Sequence, residues 1–124
     1  MIKLDYKQDK ELFNETAKKW AEDIGKEVKN TQIRKFYDQV LDLNNQAKKS
    51  DDFEGEILPF VKMLNSKVAY ASTRNSGGSK LINQAFVNMM NQCVVEVKDK
   101  KTLNIFKMFF EAVIGFHKSL EGRK

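Results

Sequence analysis

Two cations and a phenol ring recur along one stretch of the chain at the spacing of an α-helix. Lys67, Tyr70 and Arg74 follow one another at steps of three and four residues, so a helix would place them on one side. Lysine and arginine can neutralise the phosphates of a nucleic acid, and a tyrosine ring can pack against a sugar or a base. The same spacing is also typical of a solvated helix whose tyrosine belongs to the core. Both interpretations are open at this point.

The helix that would carry these residues also has an apolar side. Its apolar residues recur at steps of four and three: Ile57, Val61, Leu64, Val68 and Ala71. This is the pattern of one buried helix face. Pro59 removes a backbone donor and clashes with the preceding turn, so the helix either begins near Leu58 or begins near Phe53 and kinks. We favour the start near Phe53, because Phe53 extends the apolar stripe. Residues 75–79 then predict a flexible, uncharged loop that leaves the basic side open to solvent.

Four more helices follow from the same periodicity. We expect them at residues 10–26, 32–48, 79–98 and 103–121. Asp9 would cap the first of these helices, and Asn30 or Thr31 the second. Strand-like alternation is absent, so the predicted fold class is all-α. We expect a compact bundle of about five helices in one domain over residues 1–124, with residues 1–9 as a loose N-terminal arm.

The helix expected at residues 79–98 has an outer face without charge. No charged residue occurs from position 81 to position 95, and the outer positions carry amides: Asn83, Gln84, Asn88, Asn91 and Gln92. A free solvent face usually carries lysine and glutamate. This face therefore either meets another protein or is tucked inside the chain's own fold, and the sequence favours neither over the other.

Composition limits the chemistry open to this chain. It has 124 residues, a net charge of +5, one cysteine and one histidine. The charge favours a nucleic-acid or acidic partner only modestly. Cys93 has no disulfide partner in the chain, and a Cys/His zinc site would need His117 together with distant carboxylates. His117 lies on the apolar side of the last predicted helix, which favours a core histidine with satisfied hydrogen bonds over a general base.

Sequence motifs of enzymes and of membrane proteins are not found. The chain has no P-loop, no Gly-x-Ser-x-Gly elbow and no metal-binding helix motif. Glu111 stands four residues after Lys107, which favours an ion pair over an acid catalyst. We therefore expect no enzyme activity, no cofactor, no metal and no small-molecule substrate. No apolar run is long enough for a signal peptide or a membrane span, so we expect a soluble cytoplasmic protein without a membrane partner.

Three motifs in a fixed order resemble a known family. Residues 31–37 read Thr-Gln-Ile-Arg-Lys-Phe-Tyr, residues 67–74 read Lys-Val-Ala-Tyr-Ala-x-x-Arg, and residues 106–118 read Phe-x-x-Phe-Phe-Glu-Ala-Val-Ile-x-Phe-His-Lys. The set is similar to the small subunit of type III-A CRISPR effector (Csm) complexes. The family usually has a tyrosine where this chain has Phe116.

This resemblance implies a small all-helical subunit without catalysis of its own, in a ribonucleoprotein of antiviral defence. Several copies would stack beside the subunits that carry the guide RNA. They would support the duplex of guide RNA and target RNA through contacts to its backbone. The implied partners are guide RNA, target RNA, other subunits of the complex and copies of the chain itself. The implied RNA-binding residues are, in order, Lys67 and Arg74, then Arg34, Lys35 and Lys118, while Tyr70 either touches RNA or only packs.

Two other functions are compatible with the sequence. A helix-turn-helix protein would bind duplex DNA, but it needs a short turn and a recognition helix. Here the basic stripe flanks a long core helix, and the junctions are long. A scaffold subunit that touches only protein is the other alternative.

Overall fold

The chain folds as a helical bundle, in a computed structural model that describes residues 1–76 and 79–122. Its helices are α1 (Ala17–Ile24), α2 (Asn30–Lys49), α3 (Phe53–Glu56), α4 (Leu58–Ser72), α5 (Gln84–Glu96) and α6 (Lys100–Glu121). A π-helical segment, Leu12–Thr16, leads directly into α1. The predicted all-α fold class is confirmed. Because α3 is a single turn, the bundle is built from the five longer helices of the described chain.

The last helix, α6, occupies the centre of the bundle. It packs against α1 and α2, and its buried residues lie on more than one side of it: Leu103, Ile105, Phe106, Phe109, Phe110, Val113, Ile114 and His117. Phe110 joins three helices, because its ring lies 5.6 Å from that of Tyr37 on α2 and 6.1 Å from that of Phe86 on α5. The nearly all-round apolar composition of this helix follows from its central position.

The N-terminal residues are not the loose arm that we predicted. Ile2 and Leu4 are buried, and their backbone N–H groups donate to the side chains of Gln92 (2.9 Å) and Glu96 (3.4 Å) on α5. Two apolar residues separated by one lysine give no helical periodicity. Their burial depends on a groove that only the folded bundle provides.

Asp9 lies just before the first helical segment, and Gly25 ends α1. The Asp9 carboxylate accepts hydrogen bonds from the Glu11 N–H (3.0 Å) and the Thr16 hydroxyl (2.7 Å). The helical segment begins only after Glu11 and has no side-chain cap, so the predicted cap at Asp9 is wrong. Gly25 ends α1 with a φ of 67°, a left-handed conformation that favours glycine.

We predicted that Asn30 or Thr31 caps the second helix, and this prediction is wrong. It begins at Asn30 itself, and the Asn30 side chain points into the core. The Asn30 backbone N–H donates instead to the Glu121 carboxylate of α6, at 2.8 Å. A residue far along the chain thus supplies the acceptor that a local cap would supply.

The helix is interrupted close to Pro59, as the sequence predicts. The one-turn helix α3 ends at Glu56, Ile57 leaves the helical path with a φ of −116°, and α4 begins at Leu58 with Pro59 in its first turn. Helical structure therefore begins at Phe53, as we favoured, and is interrupted at Ile57, while the long helix α4 begins at Leu58, as in the alternative. Ile57, Val61, Leu64 and Val68 are buried and Ala71 is half-buried, which confirms the apolar stripe.

The connection from α4 to α5 is longer than the predicted loop and contains two short paired strands. Asn75–Ser76 pairs antiparallel with Ser79–Lys80, and residues 77 and 78 of the predicted loop lie outside the described residues. The helix predicted from residue 79 begins only at Gln84, because the Asn83 side chain caps it by accepting the Phe86 N–H at 3.1 Å.

Asp99 caps α6 through a reciprocal pair of hydrogen bonds. Its carboxylate accepts the Thr102 N–H at 2.8 Å, and the Thr102 hydroxyl accepts the Asp99 N–H at 3.0 Å. This arrangement is a capping box. The backbone hydrogen bond from Thr102 lowers the pKa of the Asp99 carboxyl below its ordinary value, with smaller contributions from the Thr102 hydroxyl and from Lys98 and Lys101.

We expect Asp99→Ala to destabilise the fold by about 1 kcal/mol at pH 7, because it removes this cap. A carboxyl whose pKa is lowered by folding stabilises the protein above its unfolded pKa, and that stabilisation is lost as pH falls through the folded pKa. The difference between wild type and variant should therefore vanish in acid. Urea unfolding at pH 7 and below pH 4 measures it, with Asp51→Ala, outside any helix, as the control. A difference that stayed constant on acidification would mean that the carboxylate is not the stabilising group.

Candidate nucleic-acid interface

Lys67 and Tyr70 lie near the end of α4, and Arg74 follows two residues after the helix ends at Ser72 and contacts Tyr70. All three are exposed, and the Tyr70 side chain is 63% exposed. The interpretation in which this tyrosine belongs to the core is therefore wrong. Tyrosine is large and mostly apolar, so an exposed ring next to two cations favours contact with a partner.

Arg74 and Tyr70 hold each other in a fixed arrangement. The guanidinium donates a hydrogen bond to the Tyr70 hydroxyl at 2.7 Å, and its carbon lies 5.3 Å from the centre of the Tyr70 ring. The contact is a cation–π interaction between residues one helical turn apart. Because arginine has five N–H donors in a planar fork, this contact leaves donors free for a phosphate.

Lys67 is oriented by an uncharged partner on the neighbouring helix. Its ammonium group donates to the Gln39 side-chain carbonyl on α2 at 2.9 Å. A glutamine fixes the position of the ammonium group without neutralising its charge. Lys67 thus presents a full positive charge on the surface that α2 and α4 share.

The other three predicted site residues fall on two different sides of α2. Lys35 lies one turn before Gln39 and is exposed, so it borders the same surface as Lys67. Arg34 is turned about 100° away from Lys35, toward the side where Tyr37 meets α6. Its charge is close enough to Tyr37 to offset part of the rise in that residue's pKa. The structure therefore groups Lys35, but not Arg34, with the α4 residues.

Lys118 is partly engaged within the chain. Its ammonium nitrogen lies 3.7 Å from the Glu121 carboxylate, and Glu121 also accepts the N-terminal N–H of α2. An exposed ion pair of this kind is weak, so the charge of Lys118 is reduced rather than cancelled. It lies near the C-terminal end of α6, apart from the α4 surface.

Glu111 is an ion-pair partner, as the sequence predicts. Its carboxylate accepts from the Tyr37 hydroxyl (2.5 Å) and from the Lys107 ammonium group (3.0 Å). Both hydrogen bonds lower the pKa of Glu111, and the one from Tyr37 has the larger effect. Burial and the same carboxylate raise the pKa of the Tyr37 phenol. Glu111 therefore stays charged and Tyr37 neutral, which ties α2 to α6 at neutral pH.

The two side chains with the best potential for catalysis are both inside the fold. His117 is fully buried. Its Nε2 lies 2.8 Å from the Gly25 carbonyl and its Nδ1 lies 3.1 Å from the Asn30 amide nitrogen, so these partners select the tautomer with the proton on Nε2. The predicted core histidine is confirmed. Cys93 is also buried, and burial raises the pKa of its thiol.

The described chain shows no site for a metal and no membrane-spanning element. Over residues 1–76 and 79–122, no group of three or more histidine, cysteine, aspartate or glutamate side chains could hold a metal ion. No helix in that part of the chain is long and apolar enough to cross a membrane.

Sequence analysis missed three residues of this surface. Phe60 and Met63 are 51% and 48% exposed, and Gln39 positions Lys67. Phe60 and Met63 lie on the same side of α4 as Lys67, because positions 60, 63, 67, 70 and 74 follow at steps of three and four. Extending the basic stripe backwards along the sequence would have found the two apolar residues. Gln39 gives no sequence signal, because its role depends on how α2 packs beside α4.

A family model decides the identity of the chain. The model described as Csm2 Type III-A matches residues 7–123. The chain belongs to the Csm2 Type III-A family. It is therefore a small structural subunit of a type III-A CRISPR effector, the multi-subunit Csm complex. The Csm2 match confirms the resemblance and extends it over the first helix. No curated protein and no solved structure matches the chain.

Proposed function

We propose that this Csm2-family subunit supports the duplex of guide RNA and target RNA by binding its phosphate backbone through the exposed end of α4. The observation that carries the proposal is the arrangement of Lys67, Tyr70 and Arg74. Two cations are held in place by uncharged partners, beside an exposed ring. A merely solvated face has no reason to fix its cations in this way.

The spacing of the two cations suits a phosphate backbone. Lys67 and Arg74 are seven residues apart, and Arg74 lies just past the end of α4; a continuous helix would separate them by about 10 Å at 1.5 Å per residue. That separation can reach two phosphates of one strand without placing the helix in a groove. Such contacts position the nucleic acid and carry no sequence information. Pairing of guide and target bases would supply the sequence specificity, as it does in other RNA-guided effectors.

We further propose that the subunit is non-catalytic and works in the cytoplasm, in several stacked copies. The burial of His117 and Cys93 supports the first part, because neither group can reach a bound RNA. Target cleavage would then belong to other subunits of the complex. Stacked copies would line up several α4 surfaces along one duplex, so that weak contacts add up.

RNA binding by the purified chain, measured across a range of salt concentrations, tests the proposal. We expect weak binding to single-stranded RNA and to RNA duplexes of unrelated sequence, with affinities that fall together as salt rises. A preference for one duplex DNA sequence would support a helix-turn-helix protein instead. No binding to any nucleic acid, alone or as part of the assembled complex, would support a scaffold that touches only protein.

A further inference from the structure

A groove between α2 and α4 exposes apolar side chains next to the basic surface. Its volume is about 300 Å³, and Leu43 and Leu64 line its buried part. Phe60 and Met63 form its open side and stay about half exposed. An exposed pair of large apolar side chains beside a concave surface is typical of an interaction site.

The groove is lined by one carboxylate, Asp42 on α2, and by one cation, Lys67 on α4. Asp42 and Gln46 form one rim, where the Asp42 carboxylate accepts a hydrogen bond from the Gln46 amide at 2.8 Å. The turn that leads into α4 adds further exposed carboxylates: Asp51, Asp52, Glu54 and Glu56. A phosphate backbone would be repelled here, whereas an apolar protein surface with a lysine would be attracted.

The chain itself carries a surface of that chemistry on α5. Four exposed residues at steps of four, three and four form an uncharged stripe: Gln84, Asn88, Asn91 and Val95. Val95 is 67% exposed, and the exposed Lys98 follows just after the helix ends. Two other amides of this helix are used inside the fold, because Asn83 caps α5 and Gln92 binds the Ile2 N–H. The interpretation in which the amides serve the chain's own fold thus holds for Asn83 and Gln92, whereas Gln84, Asn88 and Asn91 stay exposed.

We propose that the α5 stripe of one copy docks in the α2–α4 groove of the next copy. Val95 would pack against Phe60 and Met63, and the amides of the stripe would meet those on the groove rim. Lys98 would lie near Asp42. This inference rests on the proposed stacking of copies and names the two surfaces that make it.

The two surfaces predict an open row of copies. The two surfaces lie on different helices, so each contact joins the groove of one copy to the stripe of another. The copy at either end of the row therefore still has one unoccupied surface, to which a further copy can bind. The stripe is only about 16 Å long at 1.5 Å per residue. One helix face in one groove buries less than a standard stable interface, so we expect self-association with a dissociation constant on the order of 0.1 mM.

Mixing two blocked variants tests this contact directly. Phe60→Asp blocks the groove and leaves the stripe intact, whereas Val95→Asp does the reverse. Each should weaken self-association about tenfold or more, because a carboxylate would be buried in an apolar contact. An equimolar mixture should form a one-to-one dimer, because the intact stripe of Phe60→Asp can dock in the intact groove of Val95→Asp. The dimer should grow no further, because its remaining groove and its remaining stripe are both blocked. Sedimentation velocity over a range of concentrations measures all three samples.

Ala69→Asp is the matched control, because it adds the same charge to an exposed position on the side of α4 turned away from Phe60 and Met63. It should associate like the wild type, and circular dichroism should report the wild-type helix content for every variant. Wild-type chain that stays monomeric at millimolar concentration would overturn the proposal. So would a mixture that stays monomeric although each variant is folded, since that result indicates a contact between like surfaces or with another subunit.

The docking proposal and the proposed RNA function can be tested separately. Binding of Val95→Asp to an RNA too short for two copies should equal that of the wild type, since this variant leaves the α4 surface unchanged. If the mixture dimerises but no variant binds RNA, the docking contact stands and the RNA proposal falls. If RNA binding is normal but mixing restores nothing, the docking contact falls alone.

Discussion

Phe110→Ala is expected to destabilise the fold by about 3–5 kcal/mol, the usual cost of deleting a buried phenylalanine ring. Phe110 is fully buried at the centre of α6. Its ring stacks 6.0 Å from that of Phe106 and meets those of Tyr37 and Phe86 edge-on. The variant would lose contacts to three helices at once. Since domains of this kind are stable by only about 5–15 kcal/mol, the variant should lose a large fraction of its stability and unfold at a much lower urea concentration.

Phe60→Ala is the matched control for this prediction. It removes the same ring from a half-exposed position on α4, so it should cost no more than about 1 kcal/mol. Urea unfolding followed by circular dichroism measures both variants. If Phe110→Ala cost no more than Phe60→Ala, the aromatic contacts described for α6 would not hold the bundle together.

The double variant Lys67→Ala/Arg74→Ala is expected to bind RNA more weakly. The loss of affinity should be about equal for unrelated RNA sequences. Each phosphate contact contributes about 0.7 to 0.9 to the slope of log affinity against log salt. For two lost contacts, the advantage of wild type over the variant should shrink roughly tenfold between 50 and 200 mM salt. In the assembled complex the change in slope would be multiplied by the number of copies that touch RNA.

The double variant should fold normally. Alanine is a better helix former than lysine or arginine, and the buried side of α4 is untouched. Lys19→Ala with Lys100→Ala is the charge-matched control, because it removes two exposed cations from other helices. Lys100 begins α6, where the helix dipole does not favour a cation. This control should leave RNA affinity close to that of the wild type.

Helical periodicity predicts the parts of this fold that depend on neighbours in sequence. The α4 stripe is an example, because Val61, Leu64 and Val68 need only a helix to share one side. The failures came where a distant residue decides the outcome. Leu4 is buried because α5 and α6 offer it a groove, and the N-terminus of α2 is capped by Glu121. Neither partner can be identified from local spacing.

The same division holds for the candidate interface. Lys67, Tyr70 and Arg74 could be grouped from the sequence because Lys67 and Tyr70 belong to one helix and Arg74 follows two residues after its end. Arg34 and Lys35 are adjacent in sequence, yet they fall on different sides of α2. Which of them borders α4 depends on how the helices pack, and periodicity does not contain that information. The hydrogen bond from Lys67 to Gln39 was likewise visible only in the structure.

The salt dependence of RNA affinity tests the central claim most directly. The assembled complex is prepared with wild-type subunit, with the Lys67/Arg74 double variant and with the Lys19/Lys100 control, and RNA affinity is measured between 50 and 200 mM salt, the range used above. We predict a slope for the double variant that is flatter by about 1.4 to 1.8 per bound copy, with wild type and control alike. A folded double variant that assembles normally and keeps both the affinity and the slope of the wild type would contradict the claim. The α4 surface would then be solvated, and the RNA contacts would have to come from Arg34, Lys35 or Lys118.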